Sequence, residues 1–383
     1  MRAGQEKMRE AGAPVLARMG RWYTQLAIIL ANTLFLLIGI TLIAYAYYGI
    51  KGSGKQPVPV YSTYLRPQAM HRMSAEQAAL FFKMFDRMGE AETYIYQPWV
   101  GFSERVFHSE RLNVDEAMPL PIRRTWQNPG PGGGPPLVIW TFGGSTMFGW
   151  GVPDDETIAS HLAKTLARTL PGRSVTVINY GHSYFFSSQE LALFQTLLRR
   201  GERCDFAVFL DGLNDSLSNS LEDVPAFNDR MRVAFEKEQQ RNPTAETYFW
   251  ISPEFPPVKL AEAMHRRYFQ RRDAAPIPPP TYDAASKYQV NMAAEAALGS
   301  MQGVKTLFFW QPVPDGPNYA PARELAGKIR QSVHSDNFYF VAGLFGGMDP
   351  ADVYVDIHHY GDTASERLGE VISQEIVKQI PIR

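Results

Sequence analysis

Four short blocks of this chain carry side chains suited to acyl-transfer chemistry, and three of them follow apolar runs. The first is Thr141 to Gly151, T-F-G-G-S-T-M-F-G-W-G, directly after Leu137 to Trp140. Gly143 and Gly144 let the backbone turn without a Cβ, which can leave the Ser145 hydroxyl and nearby N–H groups facing one cleft. A serine so placed still needs a base, a group that orients the base, and donors for an oxyanion. The second block, Asn179-Tyr180-Gly181-His182, and the third, Asp211-Gly212-Leu213-Asn214-Asp215, hold candidate donors. Gly181 permits close backbone approach, and Asn214 offers an NH₂ that a carboxylate cannot replace. Taken singly, each is also what an ordinary turn uses.

The fourth block is Asp356-Ile357-His358-His359. Asp356 and His359 are spaced so that one local turn lets the carboxylate orient the imidazole, and the sheet order then brings that imidazole to Ser145. His358 is the rival, expected to face away or to contact substrate. A metal reading of Asp356, His358 and His359 lacks the His-Glu-x-x-His helix spacing of zinc sites, and no metal is expected. No glycine run has the dinucleotide-binding spacing, so no nucleotide cofactor is expected.

The elements that must position these residues are legible as alternating apolar runs and helical stretches. Strands are predicted at 137–142, 175–179, 206–211 and 306–310, with a weaker one at 338–341. Helices are predicted near 157–170, 187–200, 284–298, 321–332 and 363–379. Apolar strands alternating with helices of this length give an α/β fold, a three-layer α/β/α sandwich with a mainly parallel sheet. Ligands bind beyond the carboxyl ends of such strands, where all four blocks fall. The segment 216–280 is longer than a crossover needs and is expected to form a lid or a substrate-binding wall, or else to pack on residues before 137. The loop Trp310 to Tyr319 lies on the same rim and offers Gln311 or Asn318 to a ligand.

The amino-terminal part sets the address. Leu26 to Tyr48 carries no charge, and as a helix it reaches about 35 Å, enough to span a membrane. Aromatics flank it at Trp22 and Tyr23 and at Tyr45, Tyr47 and Tyr48. The expected organisation is a cytoplasmic segment 1–25, a single transmembrane anchor 26–48, an extracytoplasmic lead-in 49–136 and a catalytic domain 137–383. The lead-in holds a predicted helix at 74–88, with Leu80, Phe81, Met84, Phe85 and Met88 at helical spacing, and a Pro/Gly joint at 129–136. Basic residues favour the amino terminus inside: Arg2, Lys7, Arg9, Arg18 and Arg21 precede the span, against Lys51, Lys55 and Arg66 after it. With 38 basic and 39 acidic side chains there is no electrostatic case for nucleic acid. The single cysteine, Cys204, excludes an intrachain disulfide and reads as a core thiol.

In order, G-G-S-T at Gly143 to Thr146, N-Y-G at Asn179 to Gly181, G-L-N-D at Gly212 to Asp215 and D-I-H-H at Asp356 to His359 resemble the SGNH, or GDSL-like, hydrolase superfamily. The resemblance covers roughly 137–383. It implies Ser145 as nucleophile, His359 as general base and acid, and Asp356 as its orienting carboxylate. The Ser145 and Gly181 N–H groups with the Asn214 side chain would then form the oxyanion hole. Two positions depart from the pattern: Gly144 stands where the namesake has Asp, and Tyr184 stands where relatives often carry a further glycine and is expected to narrow or reshape the pocket. The segment with Y-Q-P-W-V-G-F around Pro98 and N-V-D-E at Asn113 to Glu116 looks like the lead-in of membrane-associated members.

The expected activity is a serine esterase or deacylase acting on a cell-envelope glycan or lipid through an acyl-enzyme. An O-acyltransferase of envelope sugars is the alternative in the same chemistry, and a catalytically silent carbohydrate-binding scaffold the alternative outside it. Oligomeric state has no signature in the sequence.

Overall fold

The computed structural model describes residues 2–51, 65–90, 94–97, 99–128, 136–217 and 283–380. The chain divides into two compact units, and the described part of the first is one helix, α1 (Arg2–Lys51). Its stretch Met19–Tyr47 is long and apolar enough to cross a membrane, and no part of it is buried. Within it Thr24, Thr33 and Thr41 donate their hydroxyls one turn back to the carbonyls of Gly20, Ile29 and Leu37, at 3.0, 2.8 and 2.8 Å. These polar groups are thereby satisfied inside the helix, as a hydrocarbon surrounding requires.

The first α-helix of the second unit is α2 (Ala75–Glu90), matching the predicted helix. Ser74 Oγ accepts the Gln77 N–H at 3.2 Å while Gln77 Oε1 accepts the Ser74 N–H at 2.9 Å, a reciprocal capping box. The helix buries Ala78, Phe81, Phe82 and Phe85 in one cluster with Phe148 and Trp150, so it packs on the body that carries Ser145. Leu80, expected on that stripe, is instead 63% exposed. Strands β1 (Tyr94–Gln97) and β2 (Gly101–Glu104) then form a separate antiparallel pair.

The main sheet contains β3 (Val114–Asp115), β4 (Ile122–Arg123), β5 (Leu137–Gly143), β6 (Val175–Asn179), β7 (Phe206–Asp211), β8 (Lys305–Trp310) and β9 (Phe338–Phe340). Their order is β3-β4-β6-β5-β7-β8-β9. The pairs from β6 through β9 are all parallel, and β4 and β3 add an antiparallel edge. Because β5 lies between β6 and β7, the winding reverses there, and the crevice beyond the carboxyl ends of β5 and β7 is the expected ligand position. The edge strands come from residues that the sequence leaves unassigned, since two-residue strands have no periodicity to read.

Helices α3 (Ser145–Phe148), α4 (Ile158–Thr169), α5 (Ser187–Arg199), α6 (Leu213–Leu217), α7 (Ala284–Gln302), α8 (Ala320–Ser332), α9 (Pro350–Val353) and α10 (Asp362–Lys378) fill the connections. Alternating side chains send Ile139, Val208 and Leu210 to one face, against Ile158 and Leu162 of α4 and Leu368 and Ile372 of α10. Trp140, Phe142, Ala207 and Phe209 go to the other, against Leu193, Phe194 and Leu197 of α5. Both faces are therefore covered, which is why these strands read as continuous apolar runs. The result is the expected three-layer α/β/α sandwich. Cys204 is buried on the second face. The segment 216–280, expected as a lid or wall, lies outside the described residues from 218 onward, as does nearly all of the Pro/Gly joint.

Candidate active site

Ser145 begins α3 immediately after β5, so its side chain stands at the carboxyl end of the central strand. Its Oγ lies 2.7 Å from His359 Nε2, and His359 Nδ1 lies 2.6 Å from Asp356 Oδ2. The other carboxylate oxygen, Oδ1, accepts the backbone N–H groups of His358 and His359, each at 2.8 Å. A single tight turn thus positions both Asp356 and His359, closed by the Val355 N–H donating to His359 O at 2.8 Å. Burial acts to raise the Asp356 carboxyl, but the His359 and His358 imidazoles and the N–H donors hold it well below the usual carboxylate range. A carboxylate accepting at Nδ1 fixes the proton there and leaves Nε2 bare to take the serine proton. His358 is a different imidazole: burial first, then the neighbouring His359, lower it to about 3, and its Nδ1 meets Tyr319 Oη at 3.2 Å.

Asn214 stands on α6, just beyond β7. Its Nδ2 donates to Phe185 O at 2.8 Å, and the second N–H of the amide has no partner among the described residues. A Cβ at Gly144 would fall 2.3 Å from that nitrogen and 3.1 Å from Phe185 O, so the glycine standing where the namesake has Asp is what admits the amide beside the serine turn. The Ser145 N–H, in the first helical turn, has no intrahelical acceptor and is a second donor. Gly144→Ala is expected to lower kcat about 100-fold, in the range for loss of one oxyanion donor. A matching melting curve and a nearly unchanged KM would locate the effect in Asn214, whereas wild-type kcat would contradict it.

Gly181 does not serve as expected. Its N–H donates to Asn179 Oδ1 at 2.9 Å, and Asn179 Nδ2 in turn donates to Met147 O at 2.9 Å. What Gly181 supplies is close approach: a Cβ there would meet Phe148 N at 2.6 Å and the Met147 carbonyl carbon at 2.8 Å. Gln311 is likewise committed, its Oε1 accepting the Thr146 hydroxyl at 2.9 Å and thereby bracing α3 from the end of β8. Asn318 is exposed on the rim.

Two supports have no signature in the sequence. Glu104, at the end of β2, is fully buried; its Oε2 lies 2.7 Å from His182 Nδ1 and its Oε1 accepts the Ser183 N–H at 2.7 Å. Burial acts to raise this carboxyl, and the His182 ring with the Ser183 donors holds it below its ordinary value. The pair fixes the loop that carries Tyr184, whose φ is 66° and whose ring is 46% exposed at the rim, 6.1 Å from that of Tyr94.

Beneath Asn214, Glu190 of α5, Asp211 of β7, Asp215 of α6 and Glu295 of α7 converge with the Tyr288 hydroxyl, all of them buried. Burial, then mutual repulsion, pushes Glu190, Asp211 and Glu295 well above the carboxylate range, and burial raises Asp215 as well. The carboxyl oxygens of Glu190 and Asp211 meet no hydrogen-bond donor among the described residues, and burial beside other carboxyls favours their protonated forms. Asp215 Oδ1 accepts the Ser187 hydroxyl at 2.6 Å and its Oδ2 the Gly212 N–H at 3.3 Å, fixing the turn that presents Asn214. Among the described residues no group of three or more His, Cys, Asp or Glu is arranged to hold a metal ion. Carboxyls whose folded pKa is raised contribute stability that is complete below the unfolded value, about 4, and lost as pH rises through the folded one. The melting temperature is therefore expected to fall as pH rises above about 4, and Glu190→Gln to flatten that fall. Equal slopes in the two proteins would contradict it.

No family model and no curated protein matches the chain. Solved structures do: TesA, at 19% identity over 63% of this chain and 99% of that one, has a TM-score of 0.37. A carbohydrate acetylesterase from Sinorhizobium meliloti is similar at 14% identity over 63% and 99%, with a TM-score of 0.37. A variant of an acetyl-xylooligosaccharide esterase from Geobacillus is similar at 11% identity over 64% and 97%, with a TM-score of 0.39.

Proposed function

We propose that this chain is a membrane-anchored serine esterase of the SGNH, or GDSL-like, type that removes an O-acyl group from a cell-envelope glycan or lipid. The observation that carries the reading is the unbroken hydrogen-bond chain from Asp356 through His359 to Ser145 at the switch point of the sheet. Ser145 Oγ attacks the ester carbonyl carbon as its proton passes to His359 Nε2, and Asp356 supports the imidazolium that forms. The oxyanion is held by the Ser145 N–H and the free N–H of Asn214 Nδ2. Collapse breaks the bond to the alkoxide, which takes the proton from His359 and leaves an acyl-serine. Water then gives a proton to His359 and attacks, releasing the acid and restoring Ser145. A sugar hydroxyl in place of water makes the same cycle an O-acyl transfer.

The apolar helix α1 holds the catalytic unit at a membrane, with that unit outside the cytoplasm as the basic residues before the span favour. A carboxy-terminal alkaline phosphatase fusion is active in this topology and silent in the reverse one. The functional test is acid release from acylated sugars and chromogenic esters by the full chain in detergent, with transfer products quantified when a sugar acceptor is added. Catalytic turnover supports the reading. A folded chain that neither hydrolyses nor transfers any acyl group contradicts it.

A further inference from the structure

His358 is not used by the mechanism, yet it touches it: its ring centroid lies 4.1 Å from that of His359. Its protonation follows from its partner. Tyr319 Oη donates to Ile357 O at 2.9 Å, and a phenol has one hydrogen to give. The 3.2 Å contact between Tyr319 Oη and His358 Nδ1 must then be donated by the ring, which places the proton on Nδ1. The imidazole is held neutral far below the physiological range by burial and by His359. Nε2 is thus a bare lone pair, with no hydrogen-bond partner among the described residues. His358 itself is only partly buried, so part of its ring is reachable from solvent.

We propose that His358 Nε2 accepts a hydrogen bond from a substrate hydroxyl next to the ester, so that the site favours a monoacylated vicinal diol, as in a partly acylated sugar. The inference rests on the esterase reading and deepens it. To be protonated, the leaving oxygen must come within about 3 Å of His359 Nε2. A hydroxyl on the adjacent carbon then lies beside the neighbouring ring. A bare imidazole nitrogen asks for a donor, which a hydroxyl supplies and an aliphatic chain or an ether does not. Tyr319 acts as a positioning residue by holding the proton on Nδ1.

The test uses the full chain in detergent with the monoacyl ester of a vicinal cyclohexanediol and its O-methyl ether, read as the ratio of their kcat/KM values. The ratio is expected to be roughly fivefold to tenfold in favour of the hydroxyl in the wild type, one hydrogen bond's worth, and to fall to about one in His358→Ala. Tyr319→Phe, which keeps the ring and removes the acceptor for Nδ1–H together with the bond to Ile357 O, lowers the same ratio. A wild-type ratio near one, or a ratio that survives both substitutions, overturns the proposal. Turnover of both esters at equal efficiency removes this contact alone; no turnover of either, together with no acylation of Ser145, removes the esterase reading and the contact with it.

Discussion

Ser145→Ala is expected to lower kcat/KM on any ester the chain hydrolyses by on the order of 10⁴-fold or more, with the melting curve unchanged. The size follows from the role: without Oγ there is no acyl-enzyme, and the remaining donors alone give only weak catalysis. The fold should not notice, because the hydroxyl makes one hydrogen bond, to His359, while α3 is braced by Thr146 on Gln311 and by Asn179 on Met147. Binding survives, so a substrate analogue should still protect the variant against heat. A variant retaining more than about 1% of wild-type kcat/KM would place the nucleophile elsewhere.

Asp356→Asn is expected to cost about 10³-fold to 10⁴-fold in kcat with little change in KM, since the same exchange in a serine protease triad has that size. The reason here is explicit. Asp356 accepts two backbone N–H groups on Oδ1 and the imidazole Nδ1–H on Oδ2. An amide has one accepting oxygen; if that keeps the backbone, its NH₂ faces Nδ1 and drives the ring proton to Nε2. That nitrogen can then no longer take the serine proton. The carboxyl is also held well below its usual range. A group depressed in this way contributes stability that is present above the unfolded value, about 4, and lost as pH falls through the folded one. The Asn variant should therefore lose part of the acid sensitivity of the melting temperature. An Asn variant within tenfold of wild-type kcat would mean that Asp356 does not set the tautomer.

The layers and the Asp356–His359–Ser145 hydrogen-bond chain were both legible, for different reasons. The central strands are buried on two faces, so 137–142, 175–179 and 206–211 stand out as apolar runs, and Asp356 and His359 are local enough for spacing to join them. Gly181 misled because its N–H is taken by Asn179 two residues earlier, a local choice between a turn bond and a ligand that spacing does not record. Glu104 and His182 are 78 residues apart and meet only through the β1–β2 pair, which short strands hide. Glu190 and Glu295 read as ordinary charges on helices; that they are buried beside Asp211 and Asp215 is decided by how α5 and α7 pack. The exposed Leu80 is the same lesson on α2, where Ala78 and Phe82 take the inner face.

The central claim is that His359 and Asp356 activate Ser145, and intact-protein mass spectrometry after a serine-reactive phosphonate tests it most directly. The wild type should gain one adduct, mapped to the peptide holding Ser145; Ser145→Ala should gain none, and His359→Ala should react far more slowly. No adduct on the folded wild type, or an adduct that forms at the same rate when Ser145 is replaced, would contradict the account.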